Sequence, residues 1–319
     1  MSSSPDAIKA ALEKGQIAGL AATGGKNADY IPFLASVPSD LFGLAVVTAD
    51  GQTFKMGDAD FAFAIESISK VFTLALVMEE IGPQAVREKI GADPTGLPFN
   101  SVVALELHDG KPLSPLVNAG AIATASLVPG DSADACWNRI LECQCNFAGR
   151  RLKLSNEVNQ SEQTTNFHNR AIAWLLYSAG TCYSDPMQAV DVYTRQCSTL
   201  VTATDLATMG ATLAAGGVNP ISGNRVISAS NTGPILAEMT MEGLYTASGD
   251  WAYTVGLPGK SGVGGGILAV VPGELAIAAF SPPLDPAGNS VKAMAAVAAV
   301  ANALGYNLYA KPGKGGLGE

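Results

Sequence analysis

Two hydrophobic periods alternate along the chain. Residues 43–57, GLAVVTADGQTFKMG, hold two β-rich runs on either side of the turn dipeptide Asp50-Gly51 and predict a hairpin. After Ser67 the apolar positions take helical spacing. The run SKVFTLALVMEEIG ends at Gly82 with Pro83 behind it, a helix stop. Residues 91–118 are rich in Pro, Gly and Asn and read as loop. Helical runs follow near 119–127, 131–147, 167–179, 186–197, 204–215 and 228–242, and Gly216-Gly217 closes one of them. From residue 252 the period returns to that of strands. WAYTVGLPG, GGILAVVPG and ELAIAAFSPP predict three strands with tight turns, and a last helix covers 290–304.

Strands therefore lie at both ends of the chain and helices lie between them. A stable sheet needs at least three strands and a covered face. Bringing the ends together satisfies both conditions. The expected fold is α+β: a five-stranded antiparallel sheet built from both chain ends, flanked by the terminal helices, with an all-helical lobe inserted. The expected organisation is one domain of two lobes, a sheet lobe at 1–66 and 246–310 and a helical lobe at 67–245. The tail at 311–319, KPGKGGLGE, is expected to be disordered.

Composition narrows the function. The chain has 319 residues, 48% of them hydrophobic and 15% charged, enough to bury a substantial core. A formal charge of −9 and the lack of a basic cluster argue against nucleic acid or anionic lipid as a partner. The polar start shows no export signal. The most apolar stretch, AMAAVAAVANALG at 293–305, is shorter than the ~20 residues of a membrane span. A cytoplasmic protein that spans no membrane is the expectation. Five cysteines include the pair Cys143 and Cys145, with Cys136 upstream, but neither His108 nor His168 is near enough in sequence to complete a metal site. Reduced thiols packed in helices are expected. Two histidines also leave few ways to build a Ser-His-Asp triad, so a hydrolase would need another base.

The sequence offers one. In ESISKVF, Ser67 precedes Lys70 by three residues at the start of an apolar helical run. Residues three apart lie on one helix face, and unpaired N–H groups at a helix start favour a developing anion. An amine held among apolar groups loses preference for charge and can take a serine proton. Alone, Ser-x-x-Lys also reads as a helix cap and a surface lysine. A second stretch, GLPGKSGVGGGILAVVPG, puts Lys260-Ser261-Gly262 just before a strand, with glycines that admit close backbone approach. Ser-x-x-Lys opening a helix and Lys-Ser/Thr-Gly on a facing edge strand is the arrangement of penicillin-binding proteins and serine β-lactamases.

Longer matches narrow the resemblance. DYIPFLA (29–35), ESISKVF (66–72), NAGAI (118–122), SEQTTNFHNRAIAWLL (161–176), DVYTRQCS (191–198) and EGLYTASGDWAYTVGLPGKSGVGGGI (242–267) occur in order. Through them the chain closely resembles the serine-dependent glutaminases, which share the β-lactamase-like fold, from about residue 10 to residue 305. The resemblance implies L-glutamine as substrate, no metal or organic cofactor, and a homodimer or homotetramer. It implies Ser67 as nucleophile, Lys70 as base and Tyr245 as a proton relay, with Lys260 beside them. The backbone N–H groups of Ser67 and Val263 match the oxyanion hole. Tyr30, Asn118, Glu162, Asn169 and Tyr193 match the residues that hold glutamine. Tyr30 and Tyr245 take part in catalysis as well as binding.

The residue types suit that substrate. Its ammonium needs a carboxylate, such as Glu162, and its carboxylate needs fixed N–H and O–H donors, such as Asn118, Asn169 and Tyr193. Taken singly, Glu162 on a polar helix reads as solvent-facing, and Asn118 as a cap. Two positions depart from the family pattern. Position 66 is Glu rather than Gln and is expected to point away from the site, and His168 stands in place of the more usual arginine and is assigned no role. A penicillin-recognising serine hydrolase or transpeptidase and a non-catalytic glutamine-binding module are the competing readings. Turnover of a β-lactam, or failure to release ammonia from glutamine, distinguishes them.

Overall fold

The strand Gly43–Thr48 (β1) is buried at every position, and its side chains divide by parity. Leu44 and Val46 join an apolar cluster with the terminal helices, while Ala45 and Val47 join a second cluster with the helices of the insertion. Successive side chains of a strand point to opposite faces, so a strand covered on both must be apolar throughout. Its hairpin partner Thr53–Gly57 (β2) alternates between exposed and half-buried. That is the pattern of an edge strand, with Lys55 among its exposed side chains. Gly51 takes φ 91° in the connecting turn and donates its N–H to the Thr48 carbonyl at 3.0 Å.

The structure is a computed structural model that describes residues 3–310; the 311–319 tail, expected to be disordered, lies outside them. Three short strands, Phe63–Ala64 (β3), Lys153–Leu154 (β4) and Thr199–Val201 (β5), form a small sheet in the order β3-β5-β4. Gly259–Ser261 (β6), Gly266–Val271 (β7) and Leu275–Phe280 (β8) complete the large one. Its order is β2-β1-β8-β7-β6, and every pair is antiparallel. The N-terminal hairpin therefore joins the C-terminal strands through β1 and β8, with Gly43 opposite Phe280, as the sequence pattern predicted.

Two expectations need correction. The insertion is not all-helical, since β4 and β5 lie within it and pair with β3. Nor is WAYTV a strand: Ser248–Thr254 is helical. Trp251 is buried there and donates its indole N–H to the Leu257 carbonyl at 2.9 Å. Its β-like composition gives way to that tertiary anchor. All six predicted helical runs in the insertion form: Asn118–Ala125, Ala133–Ala148, Phe167–Ser178, Pro186–Cys197, Ala203–Ala214 and Ala229–Glu242. Further helices lie outside the runs that apolar spacing marked: Pro83–Lys89, Val103–Leu107 inside the 91–118 stretch that was read as loop, and Asn156–Thr165. Only Val158 and Glu162 are buried along the last, so it carries no apolar stripe.

The terminal helices Pro5–Ala21 and Val291–Leu304 pack together over one face of the large sheet. Ser4 and Ser290 cap their starts. Ala203–Ala214 covers the other face and begins with a capping box of Thr202 and Asp205. Its Gly210 lies against the sheet. A Cβ there would come 2.5 Å from Leu268 Cδ1 and 2.7 Å from Ala276 Cβ. Gly210→Ala is therefore expected to destabilise by about 1–3 kcal/mol through overpacking, outweighing the ~1 kcal/mol that alanine contributes to a free helix. A denaturant midpoint at or above wild type would show that the sheet yields instead.

Candidate active site

β3 leads directly into the site. After it, Glu66–Ile68 forms a single 3₁₀ turn, and the α-helix Ser69–Ile81 follows. Ser67 thus sits in the turn just before the helix that the sequence had it opening. Glu66 takes φ 52°, a left-handed conformation that costs energy for a residue with a Cβ and is found where surrounding structure imposes it. The loop after β6 imposes it here. A Cβ on Gly264 would lie 2.2 Å from the Ala64 carbonyl oxygen, and one on Gly262 would lie 2.8 Å from that of Ile65. Only glycine admits this approach. The loop carries Val263 to the cavity wall beside Ser67. Neither the Ser67 nor the Val263 backbone N–H donates to another backbone group among the described residues.

Behind Ser67, Asn118 ties three elements together. It is the first residue of its helix, but its side chain does not cap that helix. Lys70 Nζ donates to Asn118 Oδ1 at 2.7 Å, and the Tyr193 hydroxyl donates to the same oxygen at 3.2 Å. An ammonium or amine N–H must meet an oxygen, so the Asn118 amide orientation is fixed. Its Nδ2 then donates to Asn169 Oδ1 at 3.0 Å. That leaves the Asn169 NH₂ group turned to donate to something other than Asn118.

Two lysines are fully enclosed, Lys70 at 1% and Lys260 at 0% exposure. Burial pulls the Lys70 amine down to about 8, against the opposing pull of nearby acidic groups, Cys197, Glu66 and Glu162 among them. Lys260 is held well below the usual lysine range by burial first and by the positive Lys70 second. Lys260 Nζ donates to the carbonyls of Gly243 at 2.9 Å and Ser261 at 2.7 Å, and lies 4.2 Å from the centre of the Tyr245 ring. Tyr245, with φ 57°, donates its hydroxyl to the Ser261 carbonyl at 3.3 Å and lies beside Ser67. Burial pushes its phenol above the ordinary tyrosine range. Among the described residues, Ser67 therefore meets Tyr245, while the Lys70 and Lys260 amines are hydrogen-bonded elsewhere.

Glu66 corrects an expectation. It is 3% exposed, lines the cavity and faces Glu162, so it does not point away. Glu162 is buried as well, not solvent-facing. Burial pushes both carboxyls up, Glu162 to about 7. The reason Glu66 turns inward is the left-handed backbone at that residue, which no local pattern announces.

The cavity holds about 270 Å³, below the ~300–1,000 Å³ of sites for drug-sized ligands and suited to an amino acid. Tyr30, Ser67, Asn118, Glu162, Asn169, Tyr193 and Val263 all line it. Tyr30 stands at its mouth, 56% exposed. Lys70, Tyr245 and Lys260 lie behind the wall. The sequence did not single out Phe99, Asn100, Thr165 and Asn166, which also line it. An aromatic flanked by Pro98 and Asn100 in a long loop was the available signal. Phe99 packs against Tyr245 with ring centres 4.6 Å apart. His168 Nε2 donates to the Asn100 carbonyl at 2.6 Å. Among the described residues no cluster of His, Cys, Asp and Glu is arranged to hold a metal, and no helix is long and apolar enough to cross a membrane. The cysteines are buried with free thiols.

A sheet closed by both chain ends, with a largely helical insertion whose first long helix follows β3, defines the β-lactamase-like class of folds. Within that class the glutaminase family model matches residues 25–309, and the chain belongs to the glutaminase family. A glutaminase of Brucella canis is 90% identical over 314 residues, covering 98% of this chain and 99% of the relative. Glutaminase 1 of Shigella flexneri is 69% identical over 286 residues, 90% of this chain and 92% of that protein. Among solved structures, the probable glutaminase ybaS superimposes with a TM-score of 0.95 at 64% identity, covering 96% of this chain and 99% of that one. Mglu in its glutamate form superimposes with a TM-score of 0.83 at 36% identity over 92% of this chain and 67% of that one.

Proposed function

We propose that the protein hydrolyses the side-chain amide of L-glutamine to L-glutamate and ammonia through an ester on Ser67. The observation that carries this reading is one amino-acid-sized cavity with a serine hydroxyl, a buried carboxyl and a free side-chain amide on its wall. Glu162 takes the substrate's α-ammonium. The Asn169 NH₂ group and the hydroxyls of Tyr30 and Tyr193 take its α-carboxylate. The amide end then reaches Ser67.

Lys70, as the neutral amine, accepts the Ser67 proton, directly or through the Tyr245 hydroxyl. Its hydrogen bond to Asn118 uses one N–H and leaves the nitrogen lone pair available. Ser67 Oγ adds to the carbonyl carbon, and the oxyanion is held by the N–H groups of Ser67 and Val263. The proton passes to the departing nitrogen, the C–N bond breaks, and ammonia leaves. Water, deprotonated by the same amine, cleaves the ester and returns the proton to Ser67. Lys260 holds Tyr245 from beneath its ring and is a positioning residue. The family resemblance further supports a homodimer or homotetramer.

Glu162→Gln tests the reading. The ammonium loses a desolvated partner, a cost of roughly 2–5 kcal/mol, so kcat/KM for glutamine should fall by the corresponding factor. Wild type should release ammonia from glutamine but reject glutaramate, which lacks the α-amine. Equal hydrolysis of both amides by wild type would exclude Glu162 as the ammonium site. No ammonia from glutamine at all would exclude the activity.

A further inference from the structure

Glu66 has no task in the reaction above, yet it is buried on the cavity wall and meets Glu162. Two ionised carboxyls only accept hydrogen bonds, so that contact requires a proton. Donors are short here. Glu66 Oε1 and Glu162 Oε1 are both buried and take no hydrogen bond from the protein. Buried acceptors are costly to leave unpaired. A shared proton and a ligand's ammonium together supply what is missing.

We propose that Glu66 is a proton-bearing positioning residue: its carboxyl O–H donates to the Glu162 carboxylate and fixes Glu162 for the substrate's α-ammonium. This rests on the glutaminase reading and deepens it. Protonated, Glu66 offers the O–H where a Gln would offer an N–H, which accounts for a glutamate at that position. Placing the proton on Glu66 leaves Glu162 as the carboxylate that the ammonium needs, and burial together with the neighbouring Glu162 raises Glu66 in that direction.

The charged and titratable groups facing Glu66 are few. Lys70 comes from its own helix, Glu162 from Asn156–Thr165, Tyr193 and Cys197 from Pro186–Cys197, Tyr30 from the mouth and Tyr245 from across the cavity. Burial raises the tyrosines and Cys197 beyond the neutral range, which leaves Glu66, Glu162 and Lys70 to respond to pH as one system. The sign follows. When pH rises far enough to ionise Glu66, the hydrogen bond becomes a repulsion between carboxylates. A second negative charge then faces the oxyanion and raises Lys70 as a base. Productive glutamine turnover falls. Glutamine at position 66 keeps a donor and cannot ionise.

The experiment compares wild type, Glu66→Gln and Glu66→Leu by ammonia release from L-glutamine between pH 6 and 9. Wild-type turnover is measured first across this range; its absence throughout removes the glutaminase reading itself. With turnover present, Glu66→Leu should raise KM at least tenfold at pH 6, and Glu66→Gln should recover most of that loss. The ratio of Gln-variant to wild-type kcat/KM, in which the substrate's own titration cancels, should rise at least tenfold from pH 6 to pH 9. A flat ratio overturns the proposal, as does a folded Leu variant with wild-type KM. If the Leu variant does not fold by circular dichroism, the ratio alone decides.

Discussion

Ser67→Ala is expected to lower glutamine turnover by roughly 10⁴–10⁶-fold, the scale on which loss of an activated nucleophile acts, with the fold intact. Ser67 is on the wall of the cavity, and Tyr245 lies beside it. The backbone bend that presents it is set by the residues before it and by Gly262 and Gly264 across from them. None of that depends on Oγ. Circular dichroism and the melting transition should match wild type, and L-glutamate should still bind, because Glu162 and Asn169 are untouched. An alanine variant that folds and turns over at near-wild-type rate would remove Ser67 from the chemistry, whatever the family resemblance suggests.

Lys70→Arg should be nearly as inactive. Guanidinium does not give up its proton near neutral pH, so an arginine keeps the charge and the link to Asn118 but cannot act as a base. Lys70→Ala should be no better, and both variants should still bind glutamine. In wild type, burial brings the amine to about 8. The neutral form is lost as pH falls through that value, so activity should rise with pH along that limb until ionisation of Glu66 turns it down, with the apparent midpoint belonging to the coupled Lys70, Glu162 and Glu66 system. An arginine variant with, say, about a tenth of normal turnover is incompatible with general-base catalysis by this residue. Serine activation would then fall to Tyr245, the group that meets Ser67 directly.

The legible and illegible parts of the chain divide along physical lines. The helices of the insertion with an apolar stripe were readable from spacing, as were the fully apolar strands β1, β7 and β8. Asn156–Thr165 was not, because it buries only Val158 and Glu162, and that is the helix that carries the buried carboxyl. Trp251 misled because aromatic and β-branched neighbours resemble a strand, while its burial and indole hydrogen bond belong to a helix. The short strands β3, β4 and β5 were too brief to show a period, although β3 delivers the chain to Ser67.

The sequence by itself determined the two-ended sheet, the glycines that permit the β6–β7 loop to close on Ser67, and the ordered set of polar residues from Tyr30 to Lys260. These are local properties: side-chain period, backbone freedom at glycine, and chemical type at a given spacing. Only the tertiary structure decided which polar groups meet. It put Lys70 on Asn118 and Ser67 beside Tyr245. It sank Lys260 beneath a ring and turned Glu66 inward against Glu162. Residues far apart in sequence meet there, Ser67 and Phe99 both with Tyr245, and their ionisation follows from what the folded chain excludes: water, which would otherwise have kept every one of these groups at its ordinary charge.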